Sequence, residues 1–89
     1  QLPKKVEFIG RRAFCKWIFL EQVSLLESVQ YIGDGAFRGC NRLKVLEIRH
    51  EPEYLGELIT NRNVTIRCRK DSKVEAYAKE FGYPIEYIE

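Results

Sequence analysis

Hydrophobic and polar positions recur along this chain at a constant spacing. Val6-Glu7-Phe8-Ile9-Gly10 returns 23 residues later as Val29-Gln30-Tyr31-Ile32-Gly33, and 23 later again as Pro52-Glu53-Tyr54-Leu55-Gly56. A fixed period of roughly twenty to fifty residues marks an architecture built by stacking copies of one supersecondary unit. In register, Gly10-Arg11-Arg12-Ala13-Phe14 lies over Gly33-Asp34-Gly35-Ala36-Phe37, and Leu20, Val23 and Leu25 lie over Leu43, Leu46 and Ile48. Each copy ends in apolar-polar alternation, which predicts a short strand with one buried face. Parallel strands of successive turns stack about 4.8 Å apart. The expected ladders are therefore Leu20 over Leu43, Val23 over Leu46 and Phe14 over Phe37.

The third copy keeps Glu53-Tyr54-Leu55-Gly56 and then shortens. Seven residues, 57–63, lead from Gly56 to Val64, where twelve, 11–22, lead from Gly10 to Val23, so five residues and the Ala-Phe element read as missing. Val64-Thr65-Ile66 still alternates and is expected to pair with the strand of the second copy. After it the period changes. Ser72-Lys73-Val74-Glu75 fits a capping box, in which the serine oxygen and the glutamate satisfy free amides at a helix start. Val74, Tyr77, Ala78 and Phe81 follow at i, i+3, i+4 and i+7, one apolar helical face. Gly82 is placed to end the helix in a left-handed conformation, and Pro84 cannot continue it. Ile85-Glu86-Tyr87 supplies a last short strand, and the helix is expected to lie across the end of the repeat core, burying Tyr77 and Phe81. At the other end Leu2 stands 23 residues before Leu25, so Gln1-Leu2-Pro3 reads as the tail of a preceding strand. An uncovered core there invites self-association through the N-terminal end. The expected organisation is a single domain over 1–89, with repeats at 6–28 and 29–51, a shortened one at 52–70 and a capping unit at 71–89.

Residues Val29 to Ile48 follow the string hydrophobic-x-x-Ile-Gly-x-x-Ala-Phe-x-x-Cys-x-x-Leu-x-x-hydrophobic-x-hydrophobic, through Gly33, Ala36, Phe37, Cys40 and Leu43. That pattern resembles the BspA-type leucine-rich repeat family over residues 2–66, and Val64 to Tyr87 resemble the closing unit of such arrays. The first copy departs from it: Trp17 replaces the cysteine, and Cys15 stands two positions early. The resemblance implies an α/β fold, a right-handed solenoid with short parallel strands closed by a C-terminal helix and short strand. It also implies part of a secreted or surface-displayed bacterial protein that binds host or neighbouring-cell macromolecules. It implies no catalysis and fixes no binding residues.

Composition narrows this only slightly. With 89 residues and 45% hydrophobic content the chain can bury one modest core. Fifteen basic residues against thirteen acidic leave a net charge of +2, too balanced to steer the chain to nucleic acid. The longest apolar run, Trp17-Ile18-Phe19-Leu20, is far short of the roughly twenty residues of a membrane helix, so no membrane insertion is expected. The chain opens on Gln1 without an initiator methionine and reads as a processed or excised piece of a longer protein.

Candidate chemistry is thin. Cys15, Cys40, Cys68 and His50 have the residue types of a Cys3His zinc site but none of the close pairing such sites use, so reduced structural thiols are expected, with no metal and no cofactor. His50 lies in the charged turn Arg49-His50-Glu51, with nothing in sequence to desolvate it or fix its tautomer. Gly33-Asp34-Gly35 lacks the lysine and following helix of a phosphate loop, and the repeat glycines read as corner residues. The basic cluster Arg62, Arg67, Arg69 and Lys70 is diluted by Glu57, Asp71 and Glu75 and reads as a solvated face.

Two surfaces remain as candidates for a protein or glycan partner. Ile18 and Phe19 point outward where the second copy has Asn41 and Arg42, and two adjacent exposed apolar residues make a contact patch. Between the buried ladder positions, Gln22, Ser24, Val45, Glu47, Arg49, Asn63, Thr65 and Arg67 are expected to project from the concave strands. The expected function is a non-enzymatic macromolecular interaction module, the terminal part of a leucine-rich repeat surface protein. Its alternative is a purely structural C-terminal cap with no ligand of its own.

Overall fold

The computed structural model describes residues 8–14, 17–25 and 27–88. The readings made on Leu2, Val6, Glu7 and Cys15, the uncovered N-terminal core among them, lie outside those residues. Along the chain the elements are β1 (Phe8–Ile9), β2 (Gln22–Ser24), β3 (Tyr31–Ile32), β4 (Val45–Ile48), β5 (Tyr54–Leu55), β6 (Thr65–Arg69), α1 (Lys73–Phe81) and β7 (Ile85–Ile88). The strands pair in parallel in two sheets, ordered β1-β3-β5 and β2-β4-β6-β7. Parallel sheets with one packed helix place the fold in the α/β class.

The 23-residue period sets the register. Phe8, Tyr31 and Tyr54 stand in one row, and Ile9, Ile32 and Leu55 in the next. Gln22 pairs with Val45, Val23 with Leu46 and Ser24 with Glu47. Side chains alternate across a strand, so Ile9 and Ile32 go to the core while Phe8 and Tyr31 stay exposed. Phe14 stacks on Phe37 with ring centroids 4.9 Å apart, as the ladder predicts. Leu20 packs half-buried against the core that contains Leu43. Val29, Ile32, Phe37, Leu46, Ile59 and Ile66 are fully buried, each worth roughly 1.5–3 kcal/mol of transfer free energy.

The pentapeptide glycines serve a purpose other than a corner. Gly33 and Gly56 do not have positive φ; they sit where successive turns touch. A Cβ on Gly33 would lie 2.5 Å from the Arg11 amide nitrogen and 2.8 Å from the Gly10 carbonyl carbon, and one on Gly56 would lie 2.5 Å from the Asp34 amide nitrogen. Without it, Gly33 N donates to Ile9 O at 2.7 Å and Gly56 N to Ile32 O at 2.8 Å.

The third copy differs from the expectation. β6 pairs with β4 so that Thr65 stands on Val45 and Ile66 on Leu46; Ile66, not Val64, continues the Val23–Leu46 ladder. Phe14 N donates to Ala36 O at 2.8 Å, and one turn on Phe37 N donates to Ile59 O at 2.6 Å while Phe37 bridges Thr60. The Ala-Phe corner is therefore present, built from Ile59 and Thr60, and the 23-residue period runs unbroken to Thr60. Nine positions separate Phe37 from Leu46 and six separate Thr60 from Ile66, so three residues are lost rather than five, all after that corner. Val64 takes the place of Leu43: its amide donates to Asn61 O at 3.1 Å as that of Leu43 donates to Cys40 O at 3.0 Å.

α1 starts at Ser72, whose Oγ accepts from Glu75 N at 3.1 Å. The return bond of the capping box lands one residue early, Glu75 Oε1 accepting from Asp71 N at 2.6 Å rather than from Ser72. Gly82 ends the helix at φ 78°, donating to the carbonyls of Ala78 and Lys79. Tyr77 is buried and Phe81 half-buried against the core. β7 then adds to β6 from Ile66 on Ile85 to Arg69 on Ile88.

The helix unit joins the third turn through two tyrosine hydroxyls. In the first two turns the corner closes on itself, Ala13 N donating to Gly10 O at 3.1 Å and Ala36 N to Gly33 O at 3.2 Å. In the third the same two groups are bridged: Ile59 N donates to Tyr77 Oη at 3.2 Å, and that hydroxyl donates to Gly56 O. Thr60 N, which corresponds to the Phe37 amide, donates to Tyr83 Oη at 3.3 Å and receives a bond back on its own carbonyl at 2.7 Å.

Candidate interaction surfaces

The outer face of the β2-β4-β6-β7 sheet carries two cross-strand rows, Gln22–Val45–Thr65 and Ser24–Glu47–Arg67–Glu86. Gln22, Ser24 and Arg49 are exposed, and Val45, Thr65 and Arg67 are half-buried. Glu47 does not project into solvent as expected: it is only 6% exposed. Arg49 Nε donates to its Oε2, and Arg67 Nη1, placed opposite by the strand register, stands 3.5 Å from its Oε1. The carboxylate is covered by its own two arginines, and Arg67 also reaches Glu86 at 3.7 Å. Asn63 is exposed but precedes the strand; it lines a shallow groove of about 400 Å³ with Glu21, Arg42 and Lys44. The eight sheet residues thus divide into an ionic group of Ser24, Glu47, Arg49 and Arg67, a second row of Gln22, Val45 and Thr65, and Asn63 in a separate groove.

Ile18 and Phe19 are exposed at 55% and 65%, and Trp17 beside them at 42%. The indole meets Phe14 edge-on at 4.9 Å and lies 5.9 Å from Phe19, so the patch is anchored to the core ladder. One turn on, the same positions hold Cys40, Asn41 and Arg42, with Cys40 fully buried and its Sγ–H directed at Phe14 O, 3.1 Å away.

A further surface was not read from the residues. Phe8 stacks on Tyr31 at 4.4 Å and Tyr31 on Tyr54 at 4.7 Å, all three exposed. The rings cover each other's faces, so the row presents edges. The signal was in the pentapeptide: its third position is aromatic in all three copies, one residue ahead of the apolar position turned to the core. Tyr54 Oη lies 3.5 Å from Asp34 Oδ1, whose charge pushes the phenol above its ordinary pKa.

Next to that row the corners of three turns form an open groove of about 610 Å³, lined in part by Arg11, Arg12, Asp34, Arg38, Glu57 and Asn61. Asp34 Oδ1 accepts from Glu57 N at 2.9 Å, and Asn61 Oδ1 accepts from Gly39 N at 3.2 Å, so both lining side chains are held by backbone. Arg12, Gly35 and Leu58 occupy equivalent positions at φ 55°, 62° and 46°. Glycine adopts this conformation freely, whereas a side chain there costs roughly 1–2 kcal/mol.

His50 is better defined than its turn implied. Its Nε2 stands 2.6 Å from Val29 O, which places the proton on Nε2, and Nδ1 is buried with no hydrogen-bond partner among the described residues. No group of three or more His, Cys, Asp or Glu stands close enough to hold a metal among the described residues. Cys40 and Cys68 are both buried, and burial pushes the Cys68 thiol up. No helix among the described residues is long and apolar enough to cross a membrane.

Turns locked at 23 residues, with aromatic corners and buried apolar ladders, define a leucine-rich repeat protein. The family model described as BspA type leucine-rich repeat region, in six copies, matches residues 1–67, three quarters of the chain, and the chain belongs to that family. No curated protein and no solved structure matches it.

Proposed function

We propose that the chain is a non-enzymatic interaction module of a secreted or surface-displayed bacterial protein, its turns wound as a right-handed solenoid. The observation that carries this reading is the Trp17-Ile18-Phe19 patch. Beyond the contact of Trp17 with Phe14, these large apolar side chains are exposed, and the fold does not demand them, because the next turn builds the same segment with Cys40, Asn41 and Arg42. Anchored aromatic residues of this kind concentrate binding energy at protein interfaces. Gln22, Ser24, Thr65 and Arg67 extend a polar rim on the adjoining sheet face.

The test replaces Ile18→Asn and Phe19→Arg together, giving the first turn the residues of the second. Wild-type and variant chains are compared for binding to a panel of purified matrix proteins and cell-surface glycans. The expected result is a partner whose affinity falls by about tenfold or more in the variant, the loss of two anchor contacts, with no fall in unfolding midpoint. Equal binding by both chains rules the patch out.

A second reading, a cap without a ligand, is supported by the tyrosine bridges. Tyr83 takes the Thr60 amide, the equivalent of the Phe14 and Phe37 amides that donate to the following turn, and Tyr77 bridges Ile59 N and Gly56 O beside it. A wild-type chain that binds no member of the panel favours that reading.

A further inference from the structure

The groove at the corners of the three turns holds an unbalanced set of charges, three arginines against two carboxylates. Arg12 and Arg38 converge on Gly35: a Cβ built there would come within 3.7 Å of Arg12 Cγ and 3.5 Å of Arg38 Cγ. The glycine leaves space for both stems, and Arg11, Arg12 and Arg38 line the same groove. None of the three makes a side-chain ion pair or hydrogen bond among the described residues. Asp34 and Glu57 line the groove without neutralising them. Arg12 also holds a left-handed backbone where the next turn has glycine, and strained residues of this kind cluster where a side chain is needed for a ligand.

We infer that this groove binds an acidic saccharide, with a uronic-acid carboxylate held between Arg12 and Arg38 and sugar hydroxyls donating to the carboxylates of Asp34 and Glu57. A guanidinium matches a carboxylate with parallel N–H···O bonds, and two arginine stems that flank one glycine can bring two of them to one carboxylate. The acidic lining selects within the anions. A dense polyanion such as single-stranded nucleic acid is repelled by Asp34 and Glu57, and an acidic peptide side chain brings acceptors where donors are required. A uronic acid carries one carboxylate and several hydroxyl donors on each ring, which matches a lining of both signs. The site uses none of the residues of the Trp17-Ile18-Phe19 patch and stands independently of it.

The test titrates the whole chain with an oligogalacturonate, its methyl ester, a glutamate-rich peptide and a single-stranded oligonucleotide, the charged probes matched in charge. The oligogalacturonate is expected to bind, and esterification to weaken it by about tenfold, the worth of a charge-assisted pair of hydrogen bonds. Arg12→Gly is expected to lower affinity by a similar factor while the unfolding midpoint holds or rises, since glycine relieves the positive φ. Arg38→Gln removes the second guanidinium with no change of backbone preference and is expected to weaken binding likewise. The inference is overturned if the oligogalacturonate does not bind, if the ester binds equally, if both variants bind as wild type, or if the peptide or oligonucleotide binds as tightly.

Discussion

At Gly33 a hydrogen atom stands where any other residue would drive a methyl carbon into the backbone of the preceding turn. The contacts it would make, 2.5 Å to Arg11 N and 2.9 Å to Arg11 Cα, are to main chain and cannot be relieved by a rotamer change. Gly33→Ala must separate the turns, lengthening the 2.7 Å bond to Ile9 O and disturbing the Phe14–Phe37 stack. A cost of about 3 kcal/mol is expected, the upper end for overpacking a core, measured by chemical denaturation. Gly10→Ala supplies the contrast, since among the described residues its Cβ meets only the Phe8 ring, at 3.4 Å; a change within about 0.5 kcal/mol is expected. Equal effects at the two positions would show that glycine serves conformation rather than approach. Repetition made these glycines visible in the sequence, but not their purpose, which depends on how closely two turns pack. The burial of Glu47 was hidden for the same reason: Arg67 lies opposite it only once two distant strands are in register.

Among the elements, β2, β4, β6, β7 and the helix were legible because their signals are local, whereas the two-residue strands β1, β3 and β5 and the sheet they form were not read as strands. The apolar ladders, the serine cap and the closing glycine each act within a few residues, and each is found in the structure, with the capping bond shifted to Asp71. The third corner was not legible. Ile59-Thr60 does not look like Ala-Phe, and it is held by hydroxyls that arrive from 18 and 23 residues further on. Its stability therefore belongs to the helix unit as much as to the repeat. Tyr83→Phe leaves the amide and carbonyl of Thr60 without their buried partner, and Tyr77→Phe does the same to Ile59 N and Gly56 O. Each is expected to cost about 1–3 kcal/mol, the penalty for stranding buried polar groups. Tyr31→Phe, at an exposed ring, is expected to change stability by less than about 0.5 kcal/mol. Denaturation midpoints of the three variants check this; a Tyr83→Phe chain as stable as wild type would show that solvent or a backbone shift satisfies Thr60 instead.

For the whole molecule, the same helix unit sets the limits of pH stability, and the two limits have opposite signs. The Tyr87 hydroxyl, then the Asp71 amide, hold the Glu75 carboxyl below its ordinary 4.5, with Lys79 Nζ 3.5 Å away. A lowered carboxyl pKa means that the unfolded chain binds the proton more readily, so this stabilisation is complete above about pH 4.5 and is lost as the pH falls through the folded value. Burial pushes the phenols of Tyr77 and Tyr83 above their ordinary 10.0. A raised phenol pKa means that the unfolded chain gives up the proton more readily, so that stabilisation is complete below pH 10.0 and is lost as the pH rises through the folded values. Thermal unfolding is therefore expected to show a plateau between these limits, falling on both sides. Glu75→Gln should flatten the acid limb, because the amide has no proton to take up. On the alkaline side the last tyrosinate absorbance should appear together with loss of near-ultraviolet circular dichroism, since Tyr77 and Tyr83 ionise only when the helix unit leaves the third turn. Complete tyrosine ionisation in a chain that keeps its tertiary signal would show that the two hydroxyls are not sealed between helix and repeat.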